Sequence, residues 1–241
     1  MNKITEPKRE TPVLIETEVL VIGSGPAGLS AAIASARLGV KTVLVERFGC
    51  FGGVLTQVGV ESFAWYRHEG TEDCQGIGRE YEKRAKELGF TRPEPQSISE
   101  VIDTEGFKYV ADRMILEAGV TPLLHSQVVD VIMEGDSLCG VIVEGKSGRQ
   151  AILAQRIVDC SGDADVAYKA GAPYTKRDKK ELMGVTVMFN CAGVDSKRFH
   201  KFVEEDLKPT YSDWGKNWSI ITDEKEDDMF SPYMEELFNK A

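Results

Sequence analysis

Residues 18–46 constrain the fold more than any other stretch of the chain. An apolar run, Glu18-Val-Leu-Val-Ile22, enters Gly23-Ser24-Gly25-Pro26-Ala27-Gly28, and a second apolar run ends on an acid, Glu46. A short, nearly continuous apolar run is the pattern of a strand buried on both faces in a parallel sheet. Pro26 opens a helix where its missing N–H does no harm. The segment Ala27–Leu38 is crowded with Ala and Ser, which suits a helix lying close on a sheet, and Gly39 closes it. Val40–Val45 is the second strand. The spacing therefore predicts a β-α-β unit.

The glycines form G-x-G-x-x-G, a weak signal by itself but here placed after a buried strand and before a helix. Gly23 makes the tight turn, Gly25 lets a pyrophosphate reach the backbone, and Gly28 allows close helix–sheet packing. The helix N-terminus offers free N–H groups and a positive dipole to a diphosphate. Glu46 stands where a carboxylate can accept hydrogen bonds from both hydroxyls of an adenosine ribose, and it would repel a 2′-phosphate. A plain strand–helix turn beside a surface acid would look similar, but the order of strand, motif, helix, strand and acid speaks against it. NAD and FAD remain open at this point, because both carry the ADP half.

Along the rest of the chain, residues 1–16 read as an extended polar arm. Gly49-Cys-Phe-Gly52-Gly53 is Gly-rich, and Ile77, Tyr81, Ala85 and Leu88 recur at helical spacing within an insertion spanning about 60–102. Asp103 can cap a third helix with the apolar face Phe107, Val110, Ala111 and Met114. Strands are expected at Thr121–His125, then as an antiparallel meander over Gln127–Met133, Leu138–Val143 and Gln150–Leu153, and again at Arg156–Cys160. Met183–Asn190 alternates like a half-buried strand, and the chain beyond Asp195 turns helical and acidic.

Composition excludes several classes. With 241 residues, 42% hydrophobic and 28% charged, the chain can bury a sizeable core in one domain or one and a half. A net charge of −10 argues against nucleic-acid or anionic-membrane partners, which need clustered positive charge. No apolar run reaches the length of a membrane span, and a cytoplasmic location is the default expectation. The five cysteines are widely spaced with no C-x-x-C pair, so no disulfide framework, zinc site or iron–sulfur cluster is expected.

These blocks resemble the FAD-dependent oxidoreductases with a glutathione-reductase-type flavin domain, in particular the flavoprotein part of heterodisulfide reductase. The resemblance rests on Glu18–Gly28 with Glu46-Arg47, on Gly52-Gly53, on the helix–strand–meander of 103–153, and on Ile157–Asp165 leading to Ala170-Gly-Ala-Pro173. It implies FAD as the cofactor. It also implies that Gly162 and Asp163 approach the flavin side, that the Val128 backbone lies near the adenine, and that Arg47 flanks the adenosine portion. Gly52 and Gly53 would pass close to the pyrophosphate and ring system, where a side chain would obstruct the backbone.

The redox cysteine pair that follows the Gly-Gly pair in related disulfide reductases is replaced here by Val54, Leu55 and Val60, so no dithiol relay is expected. Cys50 reads as an inert thiol. Tyr66, Arg67 and His68 follow Gly52-Gly53 closely enough to be polar groups near a substrate, although a surface loop explains them equally well, and no catalytic residue is assigned.

The resulting expectation is an α/β chain. A Rossmann-like FAD-binding domain, a parallel sheet plus an antiparallel β-meander, spans 1–175, and 176–241 begins an α+β substrate or cap domain that looks truncated. The reaction expected is hydride transfer between a small-molecule substrate and FAD. The alternatives are an incomplete or non-catalytic flavin-binding chain that needs a second polypeptide, or an NAD-binding dehydrogenase; the protein partner expected is a completing polypeptide or, as a homo-oligomer, a further copy of the chain.

Overall fold

The computed structural model describes residues 3–5, 7–63, 67–68, 71–72, 74–93, 99–182, 188–189 and 191–205. In chain order the elements are β1 (Val13–Ile22), α1 (Pro26–Arg37), β2 (Thr42–Val45), a 3-10 turn at Gly53–Leu55, β3 (Arg67–His68), β4 (Thr71–Glu72), α2 (Ile77–Glu87), β5 (Thr91–Pro93) and β6 (Glu100–Ile102). There follow α3 (Thr104–Glu117), β7 (Thr121–Leu123), β8 (Gln127–Glu134), β9 (Ser137–Gly145), β10 (Gly148–Asp159), α4 (Asp165–Lys169), a second 3-10 turn at Lys179–Glu181 and α5 (Ser196–Glu205). The chain divides after Met188 into two units, Met1–Met188 and Phe189–Ala241. In the second, α5 begins directly after Asp195, whose carboxylate accepts from the Arg198 N–H.

One six-stranded sheet in the order β7-β2-β1-β10-β9-β8 organises the first unit. The pairs β7–β2, β2–β1 and β1–β10 are parallel, whereas β10–β9 and β9–β8 are antiparallel. The sheet is thus a parallel half continued by the expected meander. Two expectations need correction. Residues 13–16 are not part of a free arm but the first half of β1, because Val13 and Ile15 pair with Ala151 and Ile152. The separate strands expected at Gln150–Leu153 and Arg156–Cys160 are one strand, β10, which pairs with β1 from Ala151 to Asp159 and with β9 from Gly148 to Leu153.

Alternate residues of the central strands face opposite sides of the sheet. Val21 and Leu44 pack against α1, α2 and α3 through Leu29, Ile33, Ala85, Phe107, Val110, Met114 and Ile115. Leu20, Ile22, Val43 and Val45 face the other way and pack with Val141, Val143, Ile152 and Val166. Leu20, Val21, Val43 and Leu44 have no exposed surface, which is why these strands lack polar alternation.

Asp103 caps α3 as its position predicts, accepting from the Glu105 and Gly106 N–H groups at 2.9 and 3.0 Å. Tyr81 and Ala85 of α2 are buried, and Tyr81 stacks on Phe107 with ring centroids 5.2 Å apart. Leu88 is 52% exposed, so the buried face of α2 ends one turn earlier than its apolar spacing implies. Among the described residues, the segment expected to be a helical insertion carries one helix and two short strand pairs, β3–β4 and β5–β6. Met183–Val187, Asn190, Trp65 and Tyr66 lie outside the described residues.

Candidate functional site

The four parallel strands β1, β2, β7 and β10 end at the same edge of the sheet. There β1 stands between β2, reached through α1, and β10, reached only after the whole meander. A ligand crevice forms at such a point, outside the carboxyl ends of strands whose connections leave in opposite directions. The loops arriving here are 23–25, 46–53, 124–126 and 160–164.

Gly23 and Gly28 answer to the protein itself. Gly23 has φ +89°, and a Cβ on it would stand 2.4 Å from the Cys160 carbonyl oxygen; a Cβ on Gly28 would stand 1.8 Å from the Gly23 carbonyl oxygen. Gly25 differs, because a Cβ there would meet nothing within 4 Å. Its bareness leaves open the space in front of the α1 N-terminus. That terminus has no side-chain cap and no acidic residue in its first turn, and Pro26 supplies no N–H. Backbone N–H groups and dipole at the start of a twelve-residue helix therefore stand uncapped beside the open Gly25 Cβ direction, a fit for a diphosphate.

The second Gly-rich loop lies against the first. The Gly52 N–H donates to the Ser24 carbonyl at 2.9 Å, and a Cβ on Gly53 would come within 2.7 Å of the Gly25 Cα. Gly52 also has φ +114° and is closed over by the Thr56 side chain, so residues 52 and 53 are held in a conformation open to little but glycine. Cys50 is half-buried, and its sulfur accepts from the Gln57 amide.

Glu46 is buried at the end of β2. Its Oε2 accepts from the Ser24 N–H at 2.8 Å and the Ser24 hydroxyl at 2.6 Å, and its Oε1 accepts from the Phe48 N–H at 2.9 Å. Arg47 is exposed, with its guanidinium 4.7 Å from the centroid of the Phe48 ring. The junction between β7 and β8 runs alongside: Ser126 N–H donates to the Glu46 carbonyl and His125 N–H to the Phe48 carbonyl. This brings half-buried Val128, at the start of β8, to the same end of the crevice.

On the other side of β1, Cys160 N–H donates to the Ile22 carbonyl, which sets the 160–164 loop beside Gly23. Gly162 has φ +95° with open space around it, and Asp163 is exposed. The loop is shaped by Asp159, which the sequence-based expectations carry only as part of the Ile157–Asp165 block. Asp159 accepts from the Ser161 N–H and hydroxyl through Oδ1, and from the Val166 and Ala167 N–H groups through Oδ2, at 2.6–3.0 Å. Burial pushes this carboxyl up, but the Ser161 hydroxyl and the three N–H donors outweigh it and hold the group below its ordinary range. The sequence signal was the D-x-S spacing just before Gly162, the pattern of a side chain bonding the backbone two residues on. Burial, and secondarily the neighbouring Asp159 charge, pushes the Cys160 thiol up, which disfavours its thiolate form.

The structure thus brings Gly23, Ser24, Gly25, Pro26, Gly28, Glu46, Gly52 and Gly53 into one cradle, with Arg47 and Val128 at one end and Gly162 and Asp163 beside β1. The backbones of Arg67 and His68 form β3, paired with β4 away from the six-stranded sheet. Among the described residues no group of three or more His, Cys, Asp or Glu could hold a metal ion, and no helix is long and apolar enough to cross a membrane.

Residues 18–239 match the family described as FAD dependent oxidoreductase. The chain belongs to this family. Its cofactor is accordingly FAD, and the crevice geometry, bare at Gly25 and narrow at Gly53, is compatible with such a dinucleotide. Among sequence relatives of this flavoprotein, a thiamine thiazole synthase of Methanococcus maripaludis is 26% identical over 184 residues, covering 72% of this chain and 64% of the relative. A thiamine thiazole synthase of Saccharolobus islandicus is 30% identical over 163 residues, covering 63% and 57%. A dihydrolipoyl dehydrogenase of Vibrio parahaemolyticus is 58% identical over only 45 residues, 19% of this chain and 10% of the relative. A solved geranylgeranyl bacteriochlorophyll reductase-like protein of Thermoplasma acidophilum shares the fold with TM-score 0.51 at 18% identity, over 65% of this chain and 42% of that one. The flavoprotein therefore spans less than two thirds of the length of the curated thiazole synthases it matches.

Proposed function

We propose that the chain holds FAD across the carboxyl edge of the sheet and transfers a hydride between the flavin and a small-molecule substrate. The observation that carries this reading is the contact of the two Gly-rich loops: Gly53 lies so close to the Gly25 Cα that a Cβ on residue 53 would stand 2.7 Å from it, while the Gly25 Cβ direction and the uncapped α1 N-terminus beside it are open. The α1 N–H groups and Gly25 would bind the pyrophosphate. Glu46 would accept from the adenosine ribose, with Arg47 and the Val128 backbone beside the adenosine. Gly52 and Gly53 would let the chain pass close to the ring system, and Gly162 and Asp163 would face the flavin side.

When bound, FAD supplies the hydride-accepting ring, so the protein's share is binding, orientation and exclusion of water. The protein holds these loops by hydrogen bonds: buried Glu46 ties Ser24 to the end of β2, and half-buried Asp159 ties the 160–164 turn to the start of α4. The relatives' names span a thiazole synthase and a dehydrogenase, so they point to no single substrate.

The test is the visible spectrum of the purified full chain before and after incubation with FAD. Flavin absorbance co-eluting with the protein is the expected result, together with a rise in melting temperature from FAD and none from NAD. No retained flavin and no FAD-dependent stabilisation would overturn the proposal.

A further inference from the structure

Residues 168–180 carry a charge opposite to that of the chain as a whole. They hold the cations Lys169, Lys176, Arg177, Lys179 and Lys180 against a single acid, Asp178, whereas the chain has a net charge of −10. Lys169, Lys176, Arg177 and Lys179 are exposed, and no ion pair among the described residues takes up any of them. Asp178 and the next acid, Glu181, are turned onto the backbone of their own 3-10 turn. The Asp178 carboxylate accepts from the Glu181 N–H, and the Glu181 carboxylate accepts from the Asp178 N–H. The cations are thus the charged groups of this stretch that face outward.

Two tyrosines share the same surface. The Ala172 N–H donates to the Ala167 carbonyl at 3.0 Å and the Gly171 N–H to the Tyr168 carbonyl at 3.1 Å, which folds the chain back on α4. Tyr174 thereby meets Tyr168 edge-to-face with ring centroids 5.3 Å apart, although the two residues are 59% and 62% exposed. Rings already held against each other lose less rotamer freedom when a partner covers them. Tyr and Arg are among the residues most enriched where protein interfaces gain their energy.

The extent of the positive surface decides which anion fits. At physiological salt a charge is screened beyond about 8 Å, so a group touching this patch feels its cations more than the acids elsewhere on the chain. A nucleic acid or a membrane plane would run past the patch onto that acidic surface. An acidic face of a folded protein can end where the patch ends.

We propose that Lys169, Lys176, Arg177 and Lys179, with Tyr168 and Tyr174, form a docking surface for an acidic protein, in a weak and salt-sensitive encounter. The five-residue helix α4 joins this surface to the turn of Gly162 and Asp163, so the docked protein stands beside that turn. The surface is built from the chain's own residues and does not depend on bound FAD.

The experiment titrates the full chain into a fluorescein-labelled peptide of repeated Glu-Glu-Phe units and reads anisotropy. Binding is expected at about 0.1 M NaCl and its loss at about 1 M, as the Debye length falls from about 10 Å to about 3 Å. The triple variant Lys176→Glu, Arg177→Glu, Lys179→Glu should bind at least about tenfold more weakly. The variant Lys3→Glu, Lys8→Glu, Lys146→Glu changes the net charge equally at exposed positions outside the patch, and should lose less than about threefold. Tyr168→Ser with Tyr174→Ser keeps every charge and should lose at least about threefold. Equal losses in the two charge variants would mean attraction to overall charge and would overturn the proposal, as would full affinity in the tyrosine variant. No binding by the wild type at the lower salt would overturn it whether or not the variants fold. Tighter binding of an oligothymidylate of the same charge would overturn it in favour of a nucleic acid.

Discussion

A Cβ on residue 28 would stand 1.8 Å from the carbonyl oxygen of Gly23, backbone against backbone, while a Cβ on Gly25 between them would meet nothing within 4 Å. Two glycines of one motif thus serve the fold, and the third is required by nothing in the protein itself. Gly28→Ala should destabilise the chain by about 2 kcal/mol or more, since neither backbone can move aside cheaply. Gly25→Ala should leave ligand-free stability within about 0.5 kcal/mol, because its φ of −62° suits any residue. Chemical denaturation of both variants, with FAD titration of the second, checks the contrast: Gly25→Ala should lose at least about tenfold in FAD affinity.

Asp159 anchors the loop beside the crevice through four donors. Asp159→Asn replaces one acceptor oxygen by an amide that opposes those donors, and should cost about 1–3 kcal/mol at pH 7. The carboxyl is held below its ordinary range in the folded chain, so its contribution is present above the unfolded pKa and is lost as pH falls through the folded one. Urea midpoints of wild type and variant should therefore be well separated at pH 7 and converge in acid below the ordinary carboxylate range. A gap that persists unchanged in acid would count against this role.

Glu80 joins three helices: it pairs with Arg37 of α1 at 2.6 Å and with Arg84 of its own helix at 2.7 Å, and Arg84 continues to Glu117 of α3. The Arg37 hydrogen bond in particular holds the Glu80 carboxyl below its ordinary range. Solvent screens this network, so Glu80→Gln should cost no more than about 1 kcal/mol at low salt. The difference should vanish in roughly 1 M NaCl, where the Debye length shrinks to about 3 Å. Melting temperatures at the two salt concentrations give the answer.

The β-α-β unit was legible because everything that defines it lies within one contiguous stretch. Apolar runs, Pro26, the three glycines and Glu46 each state a local rule, and all of them agree. The Asp103 cap was legible for the same reason, since its donors are two and three residues away. The first half of β1 was not. Val-Leu-Ile-Glu-Thr reads as polar arm or strand equally well until Ala151–Ala154, more than 130 residues later, supplies the partner backbone. The continuity of β10 was hidden in the same way, because Ala154–Gln155 looks like a break until β1 is seen to pair through it.

The character of the chain as a dinucleotide-binding α/β protein follows from local periodicity and from residues with narrow conformational roles, which act over one or two turns of backbone. The state of the site follows from contacts between segments distant in sequence: Gly53 against Gly25, Ser24 on Glu46, Cys160 beneath Gly23. Hydrogen-bond saturation and steric exclusion are set by which groups meet in space. A string of residue types carries propensities for elements, but the number of lone pairs left free on Glu46 depends on the approach of Ser24 and Phe48, and that exists only once the sheet has formed.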